Sequence, residues 1–329
     1  MTGSRAEVMA LTIGKPRLKL FYASDIHGSE LVFRKFLNAA KFYGVDALIF
    51  GGDLTGKAII PFVEIAPGHF VADVYGNERQ IEKGAALNEL EQFVRDRGSY
   101  PYRTTPDEMA AMKADETLVK EIFGRVMRET AEKWVTMADD RLRGSMPCIM
   151  MPGNDDEPEV KDVLAQGDWI QDGEDKVVDL EGYQVASFGW ATTTPWHSPR
   201  EVTEQIMLDR LTELTSRLEP GRPTILNFHN PPAASGLDMA YKMSKDLKVD
   251  MAGGQAMLAP VGSTSVRRII EQVSPTLSLH GHIHESRATT RIGRTVALNP
   301  GSAYTEGVLQ GAIITLKGDK VAGQQLVNG

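Results

Sequence analysis

Cysteine is almost missing from this sequence, and its single occurrence, Cys148, sits in an apolar run. No disulfide can form within the chain and a cysteine-built zinc cluster is excluded, so Cys148 reads as a small buried hydrophobe. No uninterrupted apolar stretch approaches the roughly 18 residues needed to cross a bilayer. The opening residues Met1 to Pro16 lack an apolar core followed by a small-residue cleavage site, and read as a poorly ordered lead-in to a cytoplasmic protein. Positive charge is also short: 36 Lys and Arg stand against 44 Asp and Glu, a formal charge of −8 with no basic run. That balance disfavours undirected attraction to nucleic acid polymers and favours a small soluble substrate. Repeats and low-complexity stretches are missing. Histidine is scarce too, at seven residues in 329, which makes its distribution informative.

Apolar runs alternate with polar loops. Leu18 to Ala23 stops at Ser24-Asp25-Ile26-His27-Gly28 and gives way to the helix-period residues Leu31, Phe33, Phe36, Leu37 and Ala40. Ala47 to Phe50 follows, and strand, helix, strand at this length predicts a βαβ crossover with parallel strands. Further runs at Cys148 to Met151, Gln184 to Gly189, Thr224 to Phe228 and Thr276 to Leu279 also end in polar loops. In α/β sheets the crevice beyond the carboxyl ends of the strands is the usual ligand site. Glu285 to Val296 and Val308 to Val327 alternate β-branched and polar residues and read as hairpins of a second sheet. The segment 57–145 carries no ligand cluster and reads as a helix-rich insertion. Its longest helix is expected to start with Thr105 as N-cap, Pro106 in the first turn and Glu108 closing a capping box. Val119, Ile122, Val126, Trp134, Ala138 and Leu142 form a stripe that packs on the core or a partner subunit, or belongs to a substrate-covering cap.

Four of the seven histidines, His27, His229, His282 and His284, directly follow apolar strands, beside Asp25, Asp53 and Asn154. Carboxylates neutralise charge and imidazoles suit borderline ions, so such mixtures serve divalent transition metals. Each signal alone is weak, because Asp-x-His and Gly-Asp are common loop chemistry. The ordered set is specific: Asp25-Ile26-His27, Gly51-Gly52-Asp53, Gly153-Asn154-Asp155-Asp156, His229-Asn230-Pro231-Pro232, Gly281-His282-Ile283-His284 and Asn299-Pro300-Gly301-Ser302. It resembles, motif by motif, the calcineurin-like metallophosphoesterase family, over 18–56 and from 145 onward. The resemblance implies a single α/β domain over 1–329: a four-layer α/β/β/α sandwich, two mixed sheets flanked by helices, with the 57–145 insertion as cap or oligomerisation element. It also implies two divalent metal ions, and Mn, Fe, Zn, Co and Ni all accept such donors. Asp25, His27 and His284 match the ligands of one ion, Asn154, His229 and His282 those of the other, and Asp53 the bridge. Alternate residues of an extended loop point the same way, so Asp25 and His27 are expected to converge; His282 and His284 form a similar pair, which the family splits.

Two ions about 3.5–4 Å apart acidify a bridging water to hydroxide, which attacks phosphorus in line with the departing oxygen. The resemblance thus implies hydrolysis of a phosphoester, with Asp53, Asn154, Asp155 and His229 at the reaction centre. Asn154, His197 and Arg200 are candidate substrate contacts. Many family members carry His where this chain has Asp155, and that His protonates the leaving group. An ionised Asp cannot donate, so easily departing groups are expected to react best. Members with this kind of replacement resemble phosphodiesterases, which makes a small phosphodiester the expected substrate. A monoesterase or pyrophosphatase is the alternative, ahead of a nuclease or a non-catalytic scaffold. Other residues have two readings. His197 borders the substrate or is an ordinary loop residue, Arg200 contacts phosphate or is solvated surface, and His280 orients a ligand or is a satisfied core histidine. His69 reads as surface, Met239 to Met257 as flexible packing, and Gly262-Ser263 as a helix N-cap.

Overall fold

The computed structural model describes residues 17–243 and 248–329, so the lead-in reading of Met1 to Pro16 lies outside the described residues. The strand Arg17–Ala23 sends alternate side chains to opposite faces, nearly all of them buried. Helix Glu30–Tyr43 follows, started by the Ser29 hydroxyl accepting from the Val32 N–H and stopped by Gly44 in the left-handed region. Strand Ala47–Phe50 then pairs parallel with the first, Phe50 opposite Ala23, completing the expected crossover. Cys148–Met150 and Gln171–Asp172 extend this parallel run, and the antiparallel strands Gln310–Lys317 and Lys320–Asn328 complete a six-stranded sheet on the other side. A second six-stranded sheet holds four parallel strands, Tyr183–Phe188, Thr224–Phe228, Leu277–Leu279 and Thr295–Asn299, between antiparallel edges Lys176–Leu180 and Ala288–Ile292.

Period-two alternation assigns the layers. Leu18, Leu20, Tyr22, Ile49 and Ile314 of the first sheet meet Val185, Ile225, Leu279 and Leu298 of the second in one core. Phe21, Phe50 and Met150 point the other way, with Phe33 and Phe36 of helix Glu30–Tyr43 and Trp134 of helix Glu116–Leu142. Phe188 and Phe228 face Met207 and Leu211 of helix Glu204–Ser216 and Ile269 of helix Thr264–Val273. The result is the expected α/β/β/α sandwich of two mixed sheets flanked by helices. Ser263 caps the last of these helices, as read from Gly262-Ser263. Cys148 is fully buried. Among the described residues no helix is long and apolar enough to cross a membrane.

Four expectations change. The C-terminal hairpins were expected in one sheet, yet 288–299 joins the second and 310–328 the first, where Gln310–Lys317 pairs with Arg17–Ala23. Alternation marks a strand without naming the edge it joins. The insertion carries more helix than strand, but it opens with an unforeseen four-stranded sheet, Ala58–Ala66, His69–Val74, Asn77–Glu82 and Ser99–Thr104. Strands such as Asn-Glu-Arg-Gln-Ile-Glu are polar on both faces and show no period. Thr105 does cap a helix with Pro106 in its first turn, but that helix ends at Ala114, and the long one begins afresh at Glu116 with Asp115 as its cap. The Glu108 carboxylate accepts from Tyr102 Oη and Thr104 Oγ1 instead of closing a box.

The stripe on the long helix packs on the core: Ile122, Trp134, Ala138 and Leu142 are buried, and the Trp134 indole stacks on Phe33 with ring centroids 4.4 Å apart at 6°. Trp134 Nε1 has no partner, so the residue works through its area. Trp134→Ala is expected to cost about 4 kcal/mol by urea denaturation, and Trp134→Phe, which keeps the stack, under about 1.5 kcal/mol. Equal losses in the two variants would show that the retained ring stack contributes nothing.

Candidate metal centre

Every metal-ligand candidate stands just beyond the carboxyl end of a parallel strand. Asp25 and His27 follow Arg17–Ala23, Asp53 follows Ala47–Phe50, and Asn154 follows Cys148–Met150. His229 follows Thr224–Phe228 of the second sheet, and His282 and His284 follow Leu277–Leu279. Three loops of one sheet therefore face two loops of the other at one end of the sandwich. The polar atoms come close. Asp53 Oδ2 lies 3.3 Å from His229 Nε2 and 3.6 Å from His27 Nε2, and Asp25 Oδ1 lies 3.5 Å from His284 Nε2 and 3.9 Å from His229 Nε2. Asn154 Oδ1 is 3.0 Å from His229 Nε2.

Three overlapping groups form, Asp25 with His27 and His284, Asp53 with His229 and His282, and His27 with Asp53 and Asp155, the donor atoms of each within 4.8 Å of one another. His282 and His284 thus separate into different groups. The backbone explains how, and it corrects the extended-loop argument: Asp25, His27, Asp53 and His282 all have positive φ, between 40° and 67°. Left-handed turns aim these side chains inward, at an expense of about 1 kcal/mol or more each. Close approach sets the rest, since a Cβ on Gly153 would lie 2.1 Å from Asp53 Oδ1, and one on Gly281 2.4 Å from Asp25 Oδ2.

Electrostatics shows what the cluster needs. Burial pushes the Asp53 carboxyl up to about 6. It opposes the charge on Asp25 as well, but the imidazoles of His284, His229 and His27 outweigh it and hold that carboxyl well below the usual range. Burial likewise disfavours protonation of His229, yet Asp53 and Asp25 overcome it and raise the ring to about 10. The centre thus draws a proton in where a cation would sit. His27 and His284 face each other through Nε2 atoms 3.0 Å apart, and His27 Nδ1 is buried without a partner. The His229 Nδ1–H donates to the Gly51 carbonyl at 2.7 Å, which turns Nε2 toward Asp53 and Asn154. Oxygen and imidazole donors converging without a fixed cation fit divalent metals.

Asp156, adjacent to the candidates and not singled out in the sequence, ties the loops together. Its carboxylate accepts from the N–H groups of Leu54, Thr55 and Gly153 at 2.7–2.9 Å and from Thr55 Oγ1 at 2.6 Å. Asn299, fully buried, donates to the carbonyls of Gly281 and Ile283, and Ser302 Oγ donates to the Asp25 carbonyl. The Asn299-Pro300-Gly301-Ser302 stretch therefore braces two ligand loops. Asp155 pairs with Lys57, and accepts from Ser198 Oγ and from Asn154 Nδ2. Burial opposes its ionisation, but Lys57 and His27 outweigh that and hold it down at about 2. Lys57 gave no signal in the sequence beyond its place after Gly56.

The proposed substrate contacts fare differently. Arg200 is buried, ion-paired with Glu174, and donates to the Gly153 carbonyl at 2.8 Å. It matches neither reading, phosphate contact or solvated surface, because its guanidinium is spent on bracing the Asn154 loop. His197 is exposed, and Trp196 beside it, not His197, lines the cleft over the centre. His280 is fully buried between the Phe228 carbonyl and Ser278 Oγ and touches no candidate ligand side chain. His69 is exposed.

No known family model matches the chain. The uncharacterized protein MJ1162 of Methanocaldococcus jannaschii is 30% identical over 180 residues, which make up 54% of this chain and 72% of that protein. The chain belongs to the family of MJ1162. Among solved structures, one that is 17% identical superposes with a TM-score of 0.55, covering 95% of this chain and 98% of the other. TT1561 of Thermus thermophilus, 16% identical, covers 95% and 98% at a TM-score of 0.50. Likeness at these identities concerns the fold alone. Looser matches include a novel archaeal phosphodiesterase, 10% identical with a TM-score of 0.30, and the phosphoesterase Yfce from E. coli, 12% identical with a TM-score of 0.32; superpositions this loose carry no argument about function.

Two outcomes test the centre. Titration with Mn²⁺, Co²⁺ or Zn²⁺ is expected to raise the melting temperature, by about 2.7 kcal/mol of stability at a hundredfold excess over Kd; no rise with any of them would count against the site. Asp156→Ala strands three backbone donors and should lose about 3 kcal/mol or more, measured by chemical denaturation, and weaken metal binding.

Proposed function

We propose that this chain is a metal-dependent phosphoesterase of the calcineurin-like type, hydrolysing small phosphodiesters in preference to monoesters. The observation that carries this reading is the meeting of two carboxylates, four imidazoles and one amide from five loops of two sheets at one place. Asp25, His27 and His284 would hold one divalent cation, Asn154, His229 and His282 a second, and Asp53 would lie between them. Such ions activate water as a nucleophile at neutral pH and neutralise charge on the nonbridging phosphoryl oxygens.

The chain's own residues do the rest. Asn154 contributes a neutral carbonyl oxygen, leaving net positive charge for the phosphate, while its Nδ2 is anchored to Asp155. Asp155, ionised beside Lys57, is no proton donor; its part is to hold the ammonium at the edge of the cleft. Lys57 can there stabilise charge on the departing oxygen without giving up a proton. Esters whose leaving groups need no protonation suit that arrangement.

With Mn²⁺-loaded protein, bis-p-nitrophenyl phosphate is expected to turn over faster than p-nitrophenyl phosphate; the reverse order would favour the monoesterase alternative. Asp53→Ala should abolish both metal occupancy, read by elemental analysis, and turnover. Lys57→Ala should lower kcat on the order of 10–100-fold with occupancy unchanged.

A further inference from the structure

The cleft above the centre has a polar floor, and Thr192, Thr193, Thr194, Lys242 and Glu285 also line it. It encloses about 590 Å³, with Asp53, Asn154, His282 and His284 at the bottom. One wall is apolar: Trp196, Tyr241, Met243, Val249 and Val261. Most of these belong to an arm running from strand Met239–Tyr241 to strand Leu258–Pro260, which pair antiparallel. The reading of Met239 to Met257 as packing fails here, since Met251 and Met257 are exposed. Of the twelve large hydrophobic side chains exposed among the described residues, five lie on this arm, Val261 directly follows it and Trp196 lines the same cleft. Trp196 is 58% and Tyr241 43% exposed.

Such a cluster is unfavourable in water unless something covers it. Its position names the occupant. The wall is continuous with the floor that takes the phosphoryl group, so what lies against it is attached to that group. Charge narrows the class further: among the described residues lining the cleft the cations are Lys57 and Lys242, and each already has a carboxylate partner, Asp155 and Asp250. A polyphosphate or a second ionised phosphate would find no unpaired cation among the described residues that line the cleft.

We infer that the substrate is a phosphodiester with a bulky apolar or aromatic group on the ester that is not cleaved, and that Trp196 and Tyr241 select it. This deepens the phosphoesterase reading and rests on it. Bound in this way, the phosphate meets the floor, the leaving group departs past Lys57, and the retained substituent covers the arm.

The test holds the leaving group constant. p-Nitrophenyl phenyl phosphate and p-nitrophenyl methyl phosphate both release p-nitrophenolate, so their kcat/KM ratio reports the retained substituent. Trp196→Ala and Tyr241→Ala are each expected to cut that ratio by about tenfold, chiefly through the KM of the phenyl ester. Intrinsic reactivity cancels between variant and wild type, and Trp196→Phe should restore most of the ratio. An unchanged ratio in both alanine variants overturns the inference and leaves the phosphoesterase reading standing. Failure of the Mn²⁺-loaded wild type to cleave either ester overturns the phosphoesterase reading, and this inference with it.

Discussion

Negative charge carried into a dry place is the constraint on which this molecule depends. Asp25 and Asp53 are almost wholly buried, and a carboxylate without a partner in such surroundings costs several kcal/mol. Imidazoles offset part of that, and His229 does so by holding a proton far above its ordinary range. The scaffold brings the acids together in spite of their mutual repulsion. It does so by ending parallel strands of two sheets at one place and fastening the loops with neutral or already paired groups: Asp156 across two loops, Asn299 across a third, and Arg200 with Glu174 beneath Gly153. Rigidity of this kind is what a site for cations requires, because ligands that relaxed apart would lose the geometry that makes binding worthwhile.

Much of this was legible in the sequence, for physical reasons. Central strands are buried on both faces and read as unbroken apolar runs, so Ala47–Phe50 and Thr224–Phe228 appear at the bounds expected of them. Candidate donors stand where those runs stop, which made Asp25, Asp53, Asn154 and His229 visible as a set. Edges were harder. The sheet within 57–145 has strands half open to water, and the sheet joined by 310–328 depends on long-range pairing that no local pattern encodes.

Side-chain roles were legible only where chemistry restricts the residue type. A buried arginine and a surface arginine look alike in one dimension, and Glu174, Arg200's partner, lies 26 positions away. Lys57 went unmarked, and Asp156 was given no role within its motif, for the same reason: a lysine after a glycine, or the second of two aspartates, carries no mark of its partners. Lys57 also borders a larger hollow of about 960 Å³ between the start of the insertion and its helices. The insertion therefore begins at the centre's own edge, where its first side chain sits among groups the two sheets supply.

The left-handed backbone at Asp25, His27, Asp53 and His282 has a consequence for how such a centre can vary. Apart from glycine, the side chains that tolerate that conformation are chiefly asparagine, aspartate and histidine, whereas branched ones are strained there. Those three carry an oxygen or nitrogen suited to a cation. A loop shape that admits few residue types thus admits mainly donors, and substitutions at these positions are filtered by conformation before any question of catalysis arises.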